Sequence, residues 1–187
     1  IERIKDTNVR IVVAVHTDSS SDFLSALEKR KHANLTVVYH SAEGRAPARR
    51  AAFEVATALP NANIIVYTQA EKISIVNFLE IITRPIRQGV ADFVIPRRDP
   101  QLGAASYPAY MWESEMRVNA TYDKLMRRCG LAIPEEGFDW FFGPVVFRND
   151  PVIAALFLDQ YELTDEIKSR VGAKPNPEIH SGSHYFP

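Results

Sequence analysis

The sequence predicts an α/β fold built on a doubly wound, mostly parallel sheet flanked by helices. Short apolar runs rich in β-branched residues alternate with segments of helical periodicity through the first half of the chain. Such alternation is typical of a parallel sheet with right-handed crossovers. The strand-like runs are apolar on both faces, as strands covered by helices on both sides are. With 187 residues, of which 46% are hydrophobic, the chain can bury one sizeable core. We therefore expect a single domain over residues 1–187.

The composition excludes several classes of function. A total of 22 Lys and Arg against 23 Asp and Glu leaves a net charge of −1, so no overall field favours nucleic acid as a partner. No apolar run approaches the roughly 18 residues needed to span a bilayer, so we expect no transmembrane segment. Cys129 is the single cysteine, which excludes an internal disulfide and agrees with a reducing compartment. We expect a cytoplasmic protein or one at the cytosolic face of a membrane.

Four strands and three helices are predicted in the first half. Pro47 suits the first turn of the second helix, and Pro85 must bend or shorten the third, which Gly89 ends. The predicted strands are 10–16, 35–39, 64–67 and 92–95, and the predicted helices are 23–30, 47–59 and 75–86.

The second half has a different pattern. A loop at 101–108 precedes a long predicted helix at 110–128. An aromatic loop that holds Asp139 then leads to a strand at 145–147. Asp150 as N-cap and Pro151 at the first helical position predict a further helix. The apolar side of the long helix is expected to carry Met111, Val118, Tyr122 and Leu125.

The strand at 64–67 runs directly into a polar elbow, 68–72, that carries Glu71. In open α/β sheets ligands bind just beyond the carboxyl ends of the strands. The elbow therefore predicts the position of a binding site.

Several weak motifs occur in order along the chain. Gly44 to Arg49 opens a helix after the second strand, and Gln69-Ala70-Glu71 follows the third strand. The segment 91–98 contains the fourth predicted strand and ends in two arginines. An acid, Asp139, then precedes Gly143 and a strand that ends in Phe147-Arg148. Over roughly residues 10–158 the chain resembles nucleotide-sugar glycosyltransferases of the GT-A fold, in the family that includes dolichol-phosphate mannose synthases.

This resemblance implies a hexosyltransferase that uses a UDP- or GDP-sugar, with inversion at the sugar carbon. It implies a nucleotide-binding half at 1–100, an acceptor-side half at 101–173 and a tail at 174–187. The acceptor, which could be a small polar molecule, a glycan or a lipid head group, is left open. Residues expected to bind the nucleotide sugar are His16, Thr17, Asp18, Glu43, Gly44, Arg45, Gln69, Arg97, Arg98 and Trp140.

Asp139 is the candidate general base that deprotonates the acceptor hydroxyl. Four aromatic residues flank it in sequence, so we expect desolvation to raise its pKa towards a useful value. These aromatic residues, Phe138, Trp140, Phe141 and Phe142, could also stack on sugar rings.

The resemblance also implies Mg²⁺ or Mn²⁺ bridging the diphosphate, bound by Glu71 and a late histidine, His184 or His180. The chain departs from the family's Asp-Ala-Asp motif because Gln69 replaces the first acid, and an amide binds a hard cation less well than a carboxylate does. Arg45, Arg97 or Arg98 could neutralise the diphosphate instead.

Two alternatives remain open. Gln69 makes plausible a catalytically degenerate GT-A domain that binds nucleotide or a partner without turnover. A sugar-nucleotide pyrophosphorylase shares the architecture, but that class has a Gly-rich loop after the first strand, and residues 16–22 contain no glycine.

Overall fold

The computed structural model describes residues 8–41 and 45–159, without the side chains of Arg45 and Ile73. The described chain is a mixed α/β structure that separates into two compact units. One contains residues 8–41, 45–63 and 149–159, and the other contains residues 64–148.

The first unit is built on a parallel pair of strands. Strands β1 (Ile11–His16) and β2 (Leu35–His40) pair in register from Ile11 with Leu35 to His16 with His40. Helix α1 (Ser21–Glu28) connects them, and the hydroxyl of Ser20 caps its N-terminus by accepting from Phe23 N. The buried side chains of Val15, Leu27 and Leu35 form the core between these strands and α1.

Two further helices complete this unit. Helix α2 (Arg45–Ala58) follows β2, and helix α6 (Pro151–Leu158) is capped by Asp150 with Pro151 at its first position, as predicted. The rings of Phe53 and Phe157 pack edge to face, with their centres 5.2 Å apart. Phe53 lies among the alanines of α2 and is the most buried large side chain of this helix.

The second unit is built on a three-stranded sheet in the order β3 (Ile64–Tyr67), β5 (Val145–Arg148), β4 (Phe93–Val94). The central strand β5 is antiparallel to both neighbours. The described strands therefore do not form the single, mostly parallel sheet predicted from the sequence. Apolar runs indicate that a strand is buried but not its direction, and mixed sheets are common.

The helices of the second unit differ from the prediction in two places. A 3₁₀ segment (Ala70–Phe78) precedes α3 (Leu79–Arg87), so the predicted helix 75–86 is divided. The predicted loop at 101–108 contains a short helix, α4 (Pro100–Ser106), capped by Asp99. The long helix is confirmed as α5 (Ala109–Arg128). No helix among the described residues combines the length and the apolar character that a bilayer crossing requires.

Candidate functional site

The polar residues of the second unit converge at one edge of its sheet. Because β3 and β4 are both antiparallel to β5, their carboxyl ends and the amino end of β5 lie at the same edge. The elbow 68–72 leaves β3 there, Arg97 and Arg98 follow β4, and the aromatic loop 138–144 leads into β5. We call this edge the carboxyl edge.

Lys72 occupies the elbow after β3. The backbone at Lys72 leaves helical geometry, with φ −99° and ψ 34°, at the start of the 3₁₀ segment. Its half-buried ammonium donates to Gln69 Oε1 at 2.5 Å and to the carbonyl oxygen of Phe142. Burial lowers the pKa of Lys72, and the nearby carboxylate of Glu71 partly opposes this shift. The ammonium therefore joins the elbow to the aromatic loop.

Gly143 gives Gln69 and Lys72 the space for this contact. Its φ is +95°, and a Cβ built there would lie 3.0 Å from Gln69 Oε1 and 3.1 Å from Lys72 Nζ. A residue with a side chain would therefore crowd the contact and strain the backbone.

Arg98, which follows β4, forms a buried ion pair with Asp139. Its backbone N and Nε donate to Asp139 Oδ2 at 3.1 and 2.7 Å, and Nη2 donates to Oδ1 at 2.7 Å. Asn119 Nδ2 adds a bond to Oδ1 at 3.0 Å. Each carboxylate oxygen of Asp139 thus accepts two hydrogen bonds from protein groups, which is its ordinary capacity.

The remaining contacts of Arg98 hold its guanidinium in place. Nη1 donates to Glu115 Oε2 at 2.6 Å. The guanidinium carbon lies 5.1 Å from the ring centres of Tyr107 and Trp112 and 5.5 Å from that of Phe142. Burial alone would lower the pKa of Arg98, but the hydrogen bonds to Asp139 and Glu115 outweigh burial and raise it.

The expectation that desolvation would raise the pKa of Asp139 is wrong. Burial does act in that direction, but the hydrogen bonds and charge of Arg98 outweigh it and hold the pKa below its ordinary value of 3.8. The aromatic neighbours in sequence gave no sign of the arginine that comes from another strand end. A carboxylate with a lowered pKa and both oxygens occupied is poorly suited to accept a proton.

Helix α5 presents a polar stripe to the aromatic loop. Glu115, Asn119 and Asp123 recur every four residues, so they share one face of the helix, and we call them the α5 polar stripe. Asn119 and Asp123 are buried residues of α5. By contrast, Met111 and Leu125 of the predicted apolar face are exposed.

Asp123 fixes the conformation of the aromatic loop. Its Oδ1 accepts from Phe138 N at 3.2 Å and from Trp140 Nε1 at 2.8 Å. Asn119 Oδ1 accepts from Phe141 N at 3.2 Å. The indole N–H of Trp140, a residue expected to bind the nucleotide sugar, thus bonds within the protein.

A cavity of about 170 Å³ opens between the end of β4, α5 and the aromatic loop. Arg97 and Glu136 are exposed at its rim. It is lined by Arg97, Arg98, Pro100, Trp112, Met116, Asn119, Ala120, Asp123, Glu136, Phe138 and Asp139.

Four of the other predicted nucleotide-binding residues lie in the first unit. His16, Thr17 and Asp18 follow β1, where Thr17 N donates to the His40 carbonyl and His16 Nδ1 accepts from Asp18 N at 3.1 Å. Arg45 begins α2. Glu43 and Gly44 lie outside the described residues, and so do His180 and His184.

The structure therefore joins Gln69, Arg98 and Asp139 through contacts within the second unit. Lys72, Asn119 and Asp123 take part in the same network and were not predicted. The four-residue spacing of the α5 polar stripe could have identified Asn119 and Asp123. Lys72 carried a weaker signal, its position in the polar elbow.

Of the residues expected at the metal site, Gln69 and Glu71 lie in the described part of the chain. Gln69 Oε1 accepts from Lys72, and Glu71 is exposed. Among the described residues, no group of three or more His, Cys, Asp and Glu side chains could hold a metal ion.

Comparison of the chain with protein-family models, curated proteins and solved structures finds no match.

Proposed function

We propose that the protein is a glycosyltransferase that moves a hexose from a UDP- or GDP-sugar to an acceptor hydroxyl. The observation that carries the proposal is the position of the Lys72 ammonium at the carboxyl edge, where the polar residues of the second unit converge. Arg97 at the same edge is exposed and adds a second cationic group. The order of motifs described above, Gln69-Ala70-Glu71 among them, supports the choice of a nucleotide sugar as donor.

Lys72 would neutralise the leaving diphosphate. An ammonium has three hydrogens. Two hydrogens of the Lys72 ammonium bond to protein oxygens, Gln69 Oε1 and Phe142 O. The third remains for a phosphate oxygen. A fixed cation that meets developing negative charge stabilises the transition state without reorganisation.

The donor set near Lys72 does not fit Mg²⁺ or Mn²⁺. A cation on Gln69 Oε1 would compete with the Lys72 ammonium, which already takes that oxygen. Glu71 is the one carboxylate in the elbow 68–72, whereas hard divalent cations favour several oxygen ligands. The proposed neutralisation therefore uses Lys72 and not a metal.

Deprotonation of the acceptor needs a carboxylate with an unoccupied oxygen. Both oxygens of Asp139 are taken, so its proposed role is to position the aromatic loop through Arg98. Glu115 uses only Oε2 and Asp123 only Oδ1 in hydrogen bonds within the described part of the chain. These two carboxylates are the candidate bases.

A second candidate function is a degenerate domain that binds the nucleotide without turnover. The saturated hydrogen bonding of Asp139 favours it, because the residue that occupies the family's catalytic position has no oxygen left for a substrate. Nucleotide binding without transfer or hydrolysis of UDP- or GDP-hexoses would support this candidate over the transferase.

The proposal is tested by calorimetric titration of the full chain with UDP and with GDP, each with Mn²⁺ and with a chelator. We expect one nucleotide to bind equally in both conditions. Lys72→Met should weaken that binding about tenfold, since it removes a charge-assisted hydrogen bond. Lys124→Met, at an exposed lysine of α5, is the matched control and should bind as the wild type does.

Binding that appears only with Mn²⁺ would contradict the role given to Lys72. The absence of binding by either nucleotide at millimolar concentration would overturn the transferase.

A further inference from the structure

The cavity beside α5 has a size and lining that select a class of ligand. Its volume of about 170 Å³ is below the range of about 300–1,000 Å³ typical of drug-sized ligands. An engineered cavity of about 150 Å³ in another protein holds benzene. This cavity therefore has room for a single six-membered ring and not for a whole nucleotide sugar.

Asp123 offers the cavity an unused acceptor. The residue is only 8% exposed and lines the cavity. Its Oδ1 accepts two hydrogen bonds from the aromatic loop, while Oδ2 has no partner among residues 8–41 and 45–159. Gly137 lies against Oδ2, and a Cβ at that position would overlap the oxygen. A carboxylate oxygen held in this way is suited to accept a hydroxyl hydrogen.

Asn119 supplies a donor beside this acceptor. Its Nδ2 donates one hydrogen to Asp139 Oδ1. An amide nitrogen carries two hydrogens, so one remains. The buried amide also lines the cavity. A hydroxyl group both donates and accepts, so vicinal hydroxyls could bind Asp123 and Asn119 together.

The apolar walls and the charges of the cavity narrow the class of ligand further. Trp112, Met116 and Phe138 are apolar lining residues, which suit the C–H faces of a saturated ring. Arg97 and Glu136 carry opposite charges at the rim, and Arg98 offsets Asp139. The negative charge of Asp123 is not balanced by these lining charges, and this negative charge disfavours an anionic ligand.

We propose that this cavity binds one neutral, polyhydroxylated six-membered ring, with Asp123 Oδ2 accepting from a ring hydroxyl. This assignment rests on the proposed function, in which the bound ring is part of the acceptor that receives the hexose.

The test is a ligand-observed NMR titration of the full chain with glucose, mannose, galactose and myo-inositol, with and without UDP or GDP. We expect at least one ring to bind at millimolar concentration. Asp123→Asn should weaken that binding about tenfold, because it replaces a charge-assisted hydrogen bond from the ring hydroxyl by a neutral one. Glu135→Gln removes an equal charge from an exposed position outside the cavity and should not change the affinity.

A second variant keeps the test decisive if Asp123→Asn fails to fold. Ala120 is exposed on α5 and lines the cavity, so Ala120→Phe should fill it and abolish ring binding with the network intact. Thr121→Phe, at the exposed neighbouring position outside the lining, is its control. Ring binding that survives both Asp123→Asn and Ala120→Phe, or no binding by any probe in any condition, would overturn the inference.

The outcome is separable from that of the nucleotide titration. Nucleotide binding without ring binding would remove this site and leave the transferase proposal. Ring binding without nucleotide binding would retain the site and remove the transferase.

Discussion

Arg98 and Asp139 form a bidentate ion pair in which both side chains are buried. Nε–Oδ2 and Nη2–Oδ1 are both 2.7 Å, and the two side chains are 7% and 5% exposed. The pair joins the end of β4 to the loop that enters β5. The rings of Tyr107, Trp112 and Phe142 lie against the guanidinium and shield it from water on the sides they cover.

Asp139→Asn should destabilise the protein by about 3–5 kcal/mol, because it leaves the Arg98 charge buried with only Glu115 to oppose it. The free energy of unfolding in urea measures the effect. Asp92→Asn is the matched control, since Asp92 pairs with Arg148 at 2.9 Å in the same unit but is 67% exposed.

An exposed pair contributes about 0–1 kcal/mol, so the two variants should differ clearly. Equal losses for Asp139→Asn and Asp92→Asn would show that the buried pair has no special part in stability.

The same pair predicts a pH dependence. The pKa of Asp139 in the folded protein lies below its ordinary value of 3.8, so the folded state binds the proton more weakly than the unfolded chain does. The resulting stabilisation is fully present above the unfolded pKa and is lost as the pH falls through the folded pKa. The difference in unfolding free energy between the wild type and Asp139→Asn should therefore be constant near neutral pH and shrink below about pH 4.

Urea unfolding of both proteins over a series of pH values measures this difference. A difference that grows on acidification would mean that Asp139 gains its proton more readily in the folded state, contrary to the ion pair.

The sequence predicted the length of α5 but only part of its buried face, since Val118 and Tyr122 of the predicted apolar side are half-buried. Hydrophobic periodicity favoured Met111 and Leu125, which are 38% and 49% exposed, whereas Asn119 and Asp123 are 6% and 8% exposed. Burial of these polar groups depends on hydrogen-bond partners in the aromatic loop, and no periodicity within one helix encodes partners from another segment.

The other differences have equally local reasons. The cap Asp99 and the following Pro100 were a valid signal for α4, but the helix ends at Ser106, and short helices give little periodicity. The antiparallel direction of β5 is set by its pairing with β3 and β4. The elbow after β3 does lie at the end of a strand, as the apolar run before it indicated, and its role as a binding site stays a prediction.

Gly103→Ala should destabilise the protein even though alanine favours helices. Replacing a helical glycine by alanine gains up to about 1 kcal/mol. At Gly103, however, an added Cβ would overlap the rigid six-membered ring of Trp112, which stacks near Arg98. Forcing extra volume into packed structure costs about 1–3 kcal/mol, so we expect a net loss of about 1 kcal/mol in the free energy of unfolding.

The sign of the effect should reverse when the ring is removed. In a Trp112→Leu background nothing rigid meets the new methyl group, so Gly103→Ala should stabilise the protein by up to about 1 kcal/mol through helix propensity. A double-mutant cycle in urea compares the two backgrounds. If Gly103→Ala had the same effect in both, the ring of Trp112 would not be what requires glycine at position 103.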